Sequence, residues 1–249
     1  MNRKISIVIP HYNNAKFMVE TLNSDIINDE RINEIIICDD KSKDILQLEQ
    51  LIANLNCEKI KLFKNDNNLG CYHNKLNTVS KCTNEWSILL DSDNIIDTKY
   101  IDTLFNIDEW NINTIYAPMW AHTFPGEISS NLNYSKFQNQ LFNKNNYLNN
   151  FNDIVFKCLI NTCNYFLPVR PYLNIMHKYT YDRNIIDCLD SAVLFTDWLC
   201  DNNNVFVVKD LIHKHRIHPN SNYMVSNSKK YTNSVENNLK LKISNSITK

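Results

Sequence analysis

The sequence predicts an α/β fold with a mostly parallel central sheet flanked by helices. Three observations predict it. Short apolar runs alternate with segments of helical period over the first hundred residues, each run ends in a polar or acidic turn, and each turn leads into a helix. Strands alternating with helices of this length form βαβ units and a parallel sheet, with right-handed crossovers. At 249 residues the chain can bury one sizeable α/β core.

The first strand is Ile5-Ser6-Ile7-Val8-Ile9, stopped by Pro10. A near-continuous apolar run is what a strand covered on both faces requires. Phe17, Met18, Leu22 and Ile26 then mark a helix over 15–27. Glu34 to Cys38 is a second strand, Ile45 to Leu55 a helix, and Lys59 to Phe63 a third strand. Asn68 to Lys81 reads as a helix entered through Gly70, and Trp86 to Leu90 as a fourth strand. The second half is less regular. A helix is expected over 100–108 and strands over 114–118, 164–169 and 205–208, with a helix over 185–200 before the last strand. Residues 122–150 are polar and read as a long excursion, a mobile loop over a site. From about Ser226 the chain is expected to fray or form a weak helix.

Composition narrows the function classes. A formal net charge of -1 provides no basic field, so no nucleic-acid partner is expected. The eight cysteines are scattered and form no CxxC pair; Cys38 lies inside an apolar run as a buried thiol. With no secretory apolar region after Met1 and no apolar run long enough for a transmembrane segment, a reducing, cytoplasmic setting is expected.

Ligands of open parallel sheets bind beyond the carboxyl ends of the strands. The four strand ends carry Pro10-His11-Tyr12-Asn13, Asp39-Asp40-Lys41-Ser42, Asn68-Leu69-Gly70 and Asp91-Ser92-Asp93-Asn94. Each precedes a helix N-terminus, which suits an anionic ligand. Asp91 and Asp93, two residues apart in one turn, would repel one another unless a cation such as Mg²⁺ neutralised them. The structural alternative is that Asp93 or Asn94 caps the following helix.

In order and spacing, these four turns resemble the family-2 glycosyltransferases. The resemblance implies a GT-A, Rossmann-like fold and metal-dependent, inverting transfer of a hexosyl or N-acetylhexosaminyl group. The donor would be a UDP-sugar, the metal Mn²⁺ or Mg²⁺, and the acceptor a hydroxyl of a glycan, glycoprotein or glycolipid. It implies one domain over 1–225, with a nucleotide-sugar half at 1–97 and an acceptor half at 98–225, followed by a polar tail at 226–249. Tyr12 would pack on the base and Asp40 hydrogen-bond its edge, with Pro10, Asn13, Asp39, Asn68, Gly70 and Ser92 lining the nucleotide. Asp93 would be the main metal ligand and Asp91 would close on the ribose or the metal, with His218 of Arg216-Ile217-His218 completing the metal site. Asp190, opening a late helix, is the candidate base, with Asp187 as its rival; plain helix capping is the alternative for both. The alternative for His213, His215 and His218 is a solvated loop. Trp120 is the acceptor-side candidate.

Two positions depart from the pattern. Lys41 replaces the usual glycine, and Lys75 replaces an arginine, so a phosphate contact there would be a point charge and not a bidentate fork. A sugar-phosphate nucleotidyltransferase is disfavoured because no glycine occurs before Gly70 to cradle a triphosphate, and no GxGxxG supports a dinucleotide enzyme. A binding module without turnover is the non-enzyme alternative.

Overall fold

The computed structural model describes residues 3–126 and 129–248; Met1, Asn2, Glu127, Ile128 and Lys249, which belong to the halves, excursion and tail expected above, lie outside them. Along the first half run β1 (Ile5–His11), α1 (Ala15–Thr21), α2 (Ser24–Asn28), β2 (Ile32–Asp39), α3 (Ile45–Leu55), β3 (Ile60–Lys64), α4 (Cys71–Ser80), β4 (Trp86–Leu89) and α5 (Thr98–Phe105). The second half holds β5 (Thr114–Phe124), β6 (Leu141–Phe142), α6 (Lys144–Asn150), α7 (Ile154–Ile160), β7 (Phe166–Pro168), α8 (Val169–Met176), α9 (Arg183–Ile186), α10 (Asp190–Cys200), β8 (Asn204–Arg216), α11 (Asn222–Val225) and α12 (Thr232–Ile247).

The strands form one sheet in the order β3-β2-β1-β4-β7-β5-β8-β6. Pairing is parallel from β3 through β4 and again between β5 and β8. Antiparallel β7 sits between those blocks, and β6 closes the far edge. Alternation along the strands feeds two cores. Val8, Ile36 and Cys38 face α4, α8, α10 and α12, while Ile7, Ile35 and Ile37 face α1, α3 and α5.

Tertiary contacts explain where the elements differ from the sequence reading. The helix expected over 15–27 is broken at Asn23, whose side chain accepts from Ile26 N and donates to Ile96 O, 2.9 Å away. The helix expected over 185–200 is interrupted because Cys188 N donates to Ser228 Oγ (2.8 Å) and Cys188 O accepts from Asn161 (2.9 Å). That break makes Asp190 the first residue of α10. The strand expected to end at Val208 runs to Arg216, passing Asp210 at φ 64, so His213 and His215 lie in a strand and not in a solvated loop.

Two further expectations are corrected. In the 122–150 excursion, Tyr134, Phe142 and Tyr147 are fully buried and Phe137 packs with them, so the described part of the segment is docked on the core. The 226–249 tail holds α12, whose Val235, Leu239 and Ile243 recur every four residues on one buried stripe. Lys242 reaches across to the buried Asp197 of α10, and Tyr181 OH donates to the same carboxylate at 2.9 Å. The eight cysteines are free thiols. No helix among the described residues is long and apolar enough to cross a membrane.

Candidate functional site

Parallel pairing of β1 with β2 places His11 beside Asp39 and brings their following turns together. His11 Nδ1 lies 2.9 Å from Asp39 Oδ1, and Ser42 N donates to Asp39 Oδ2 at 3.0 Å. Burial opposes the Asp39 charge, but His11 and Ser42 outweigh it and hold the carboxyl below the usual range. Asn13, at φ 53, accepts from Lys43 N (2.8 Å) and donates its own N–H to Ser42 Oγ (2.9 Å). These bonds lock the two turns and leave Tyr12 49% exposed beside partly buried Pro10.

The next turn is organised by Asp40. Its Oδ1 accepts from Leu69 N (2.7 Å) and Asn65 Nδ2 (2.9 Å), its Oδ2 from Gly70 N (2.9 Å), and its carbonyl from Asn68 Nδ2 (2.9 Å). Gly70, at φ +83, lets the chain turn into α4 in the left-handed region that favours glycine. A β-carbon there would also approach Arg183 Nε to 3.0 Å. Arg183 Nη1 donates to Asn68 O at 2.7 Å, fastening α9 over this turn.

The acidic turn after β4 is fixed by other parts of the chain. Asp91 N donates to Asn164 Oδ1 (3.0 Å), Ser92 Oγ accepts from Asn14 Nδ2 (3.0 Å), and Arg216 Nε donates to Asp93 O (3.1 Å). Asp93 Oδ2 lies 2.9 Å from His218 Nε2, while His218 Nδ1 is buried without a hydrogen-bond partner. The helix-cap alternative for Asp93 and Asn94 fails, because Asp97 caps α5 by accepting from Tyr100 N at 3.0 Å.

Asp190 enters from the other half of the molecule. Its Oδ2 stands 2.6 Å from Lys75 Nζ, and Asp91 Oδ1 stands 3.7 Å from the same ammonium. The Asp190 contact is an ion pair and not an aligned hydrogen bond, since Lys75 donates to Ser191 Oγ at 3.0 Å and buried Asp190 Oδ2 accepts no aligned bond. Burial, reinforced by Asp93 and Asp190, raises Asp91 above the usual carboxylate range, with Lys75 pulling the other way. Asp187 lies outside α10, next to Gly70 and Arg183, and burial raises its pKa as well.

Among the described residues no three His, Cys, Asp or Glu side chains form a ready-made metal cluster. Asp93 and His218 nevertheless make a converging pair of oxygen and nitrogen donors. Such a pair fits a divalent ion that takes its remaining ligands from substrate phosphates and water. Asp91 is turned toward Lys75 instead.

The family model for Glycosyl transferase family 2 matches residues 6–165, which contain the first three strand-end turns and the acidic turn. The chain belongs to this family. An uncharacterized glycosyltransferase of Mycoplasma genitalium, MG060, is 32% identical over 105 residues, 39% of this chain and 35% of that protein. Among solved structures, S. aureus TarS 1-349 in complex with UDP-GlcNAc superposes with a TM-score of 0.64 at 15% identity, covering 89% of this chain and 61% of TarS 1-349. Mannosyltransferase PcManGT from Pyrobaculum calidifontis, in complex with GDP-Man and Mn²⁺, superposes with a TM-score of 0.59 at 9% identity, covering 99% of this chain and 74% of that one. At these identities the structural likeness shows the shared GT-A fold. The chain therefore spans less than two thirds of TarS 1-349 and about a third of the Mycoplasma protein.

Three of the expected site residues make contacts within the chain that the sequence did not announce. Lys75 was expected at a phosphate, but its ammonium is buried against Asp190, Ser191 and Asp91. Asp39 was expected at the nucleotide, yet both of its oxygens serve the buried His11–Ser42 network. Trp120 was expected at the acceptor. Ala121, next to it in β5, belongs to the core shared with α10, so alternation turns Trp120 to the opposite face, where it packs on His122 at 4.9 Å. Asn164, Arg183 and Ser191 escaped the sequence reading. Nothing in their local sequence marks them; their partners lie 73, 115 and 116 residues away.

Proposed function

We propose that this chain is a metal-dependent, inverting glycosyltransferase that moves a hexosyl or N-acetylhexosaminyl group from a UDP-sugar to an acceptor hydroxyl. The observation that carries the reading is the shared ammonium. Lys75 joins Asp91 of the acidic turn to Asp190, the first residue of α10. Donor-side and acceptor-side groups thus meet at the carboxyl end of the sheet, the place where open α/β sheets bind ligands.

In this reading the exposed Tyr12 ring stacks on the uracil. Asp40 Oδ2, which accepts a single bond from Gly70 N, offers its remaining lone pair to the base edge. Asp93 and His218 would hold Mn²⁺ or Mg²⁺, which neutralises charge on the departing diphosphate. The Asp190 carboxylate takes the proton from the acceptor hydroxyl. The acceptor oxygen bonds to the anomeric carbon as the bond to UDP breaks, and UDP leaves with the electron pair from the opposite face. The configuration inverts. A base so placed contributes about 10²–10⁴-fold in rate.

Calorimetric titration of UDP with Mn²⁺, and then with EDTA, tests the donor site; binding only with metal is expected. UDP release from a panel of UDP-sugars then identifies the donor. Asp190→Asn should keep its UDP affinity and lose about 10²-fold or more in turnover. A protein that binds UDP and turns over no donor with any acceptor offered would instead be a sugar-nucleotide-binding module.

A further inference from the structure

Lys75 occupies an unusual place for a surface-type side chain. It projects from α4, where Tyr72, Asn74, Leu76, Thr78 and Val79 are also buried, and is itself 6% exposed. Its ammonium meets Asp190 Oδ2 at 2.6 Å, Ser191 Oγ at 3.0 Å and Asp91 Oδ1 at 3.7 Å. With three partners and almost no solvent, it cannot also turn out to a diphosphate without leaving the buried Asp190 carboxylate uncompensated and the partly exposed Asp91 without its ammonium.

We infer that Lys75 is a positioning residue: it fixes the candidate base Asp190 against the acidic turn, and it does not bind the donor phosphates. The inference rests on the reading of Asp190 as base. Two features of the geometry support it. Lys75 directs an N–H at Ser191, the neighbour of Asp190 on the first turn of α10, so the ammonium tethers the helix start as well as pairing with the Asp190 carboxylate. The ammonium stands between Asp91 and Asp190, which without it would meet as like charges and push one another apart.

The test compares the wild type with Lys75→Met, Lys75→Arg, Asp190→Asn and the double variant Lys75→Met/Asp190→Asn. UDP affinity is measured by calorimetry with Mn²⁺. Turnover is measured as UDP release from the UDP-sugar found above. Lys75→Met is expected to bind UDP within about threefold of wild type, to keep its donor KM, and to lose about 10²-fold in kcat, the lower end of what a positioned base contributes. Lys75→Arg should recover at least tenfold of that loss.

The double variant removes the closely paired Lys75 and Asp190 charges together and leaves only the partly exposed Asp91 without its ammonium, so it is the better-tolerated change, and it should be no slower than Asp190→Asn. Groups that act as one unit behave in this non-additive way. A fall of tenfold or more in UDP affinity with kcat intact would overturn the inference and return Lys75 to the phosphates. So would a full extra loss on adding Lys75→Met to Asp190→Asn. Wild-type turnover by Asp190→Asn is a separate outcome, which removes the base reading and the inference with it.

Discussion

His218 shows how much one side chain can depend on distant ones. Its ring is held against Phe17 at 4.8 Å and its Nε2 against Asp93, 125 residues earlier in the chain. An imidazole so oriented is ready to be a metal ligand once its Nε2 is bare. His218→Ala should therefore weaken Mn²⁺-dependent UDP binding by at least tenfold and leave any metal-free binding unchanged. Calorimetry with and without Mn²⁺ reads both, and equal affinity in the two proteins would take His218 out of the metal site. His213 and His215 lie in β8, before His218, and burial holds both pKa values below the ordinary histidine value.

At the scale of elements, α12 is the addition that matters most. It packs against α10, α6 and α9, and α10 begins with Asp190. A polar sequence hides this, because Val235, Leu239 and Ile243 are the buried residues of α12. Leu239 is 3% exposed, whereas Leu241 on the same helix is 60% exposed. Leu239→Ala should lower stability by about 2–4 kcal/mol, as large-to-small core changes do. Leu241→Ala should stay within about 0.5 kcal/mol of wild type. Urea unfolding followed by circular dichroism distinguishes the two, and equal effects would mean that α12 is not docked as described.

For the whole molecule, the sheet separates function from stability. Its carboxyl end carries the site, and its opposite end carries Glu34. That carboxylate accepts from Ser6 Oγ (2.6 Å), Thr83 N (2.7 Å) and Lys61 Nζ (2.8 Å). Burial raises the Glu34 pKa, but Lys61, Ser6 and Thr83 outweigh it and bring it from 4.5 down to about 2. A depressed folded-state pKa stabilises above the unfolded value and is lost as pH falls through the folded one. Wild type should thus exceed Glu34→Gln in stability by a constant margin above pH 4.5, and the margin should shrink toward pH 2. Urea midpoints at pH 7, about 4 and about 3 would show it; a margin that widens on acidification would reverse the assignment.

The sequence by itself determined the α/β class, the first four strands and the four turns at their ends. Strand hydrophobicity and turn chemistry are local properties, so a run such as Ile5–Ile9 followed by a proline states its own structure. It also brought Asp93, His218 and Asp190 forward as candidates, through the order of their motifs. What those residues touch was decided only in three dimensions. Asp39 and Asp40 look alike in sequence, yet one pairs with His11 and the other accepts from Gly70 N at the next turn. Lys75 reads as a phosphate ligand until α10 brings Asp190 to 2.6 Å from it. The breaks at Asn23 and Cys188, the docking of α12 and the face taken by Trp120 belong to the same class. Each is set by partners far away in the chain, and the energy of such a contact exists only after the fold has brought both partners together.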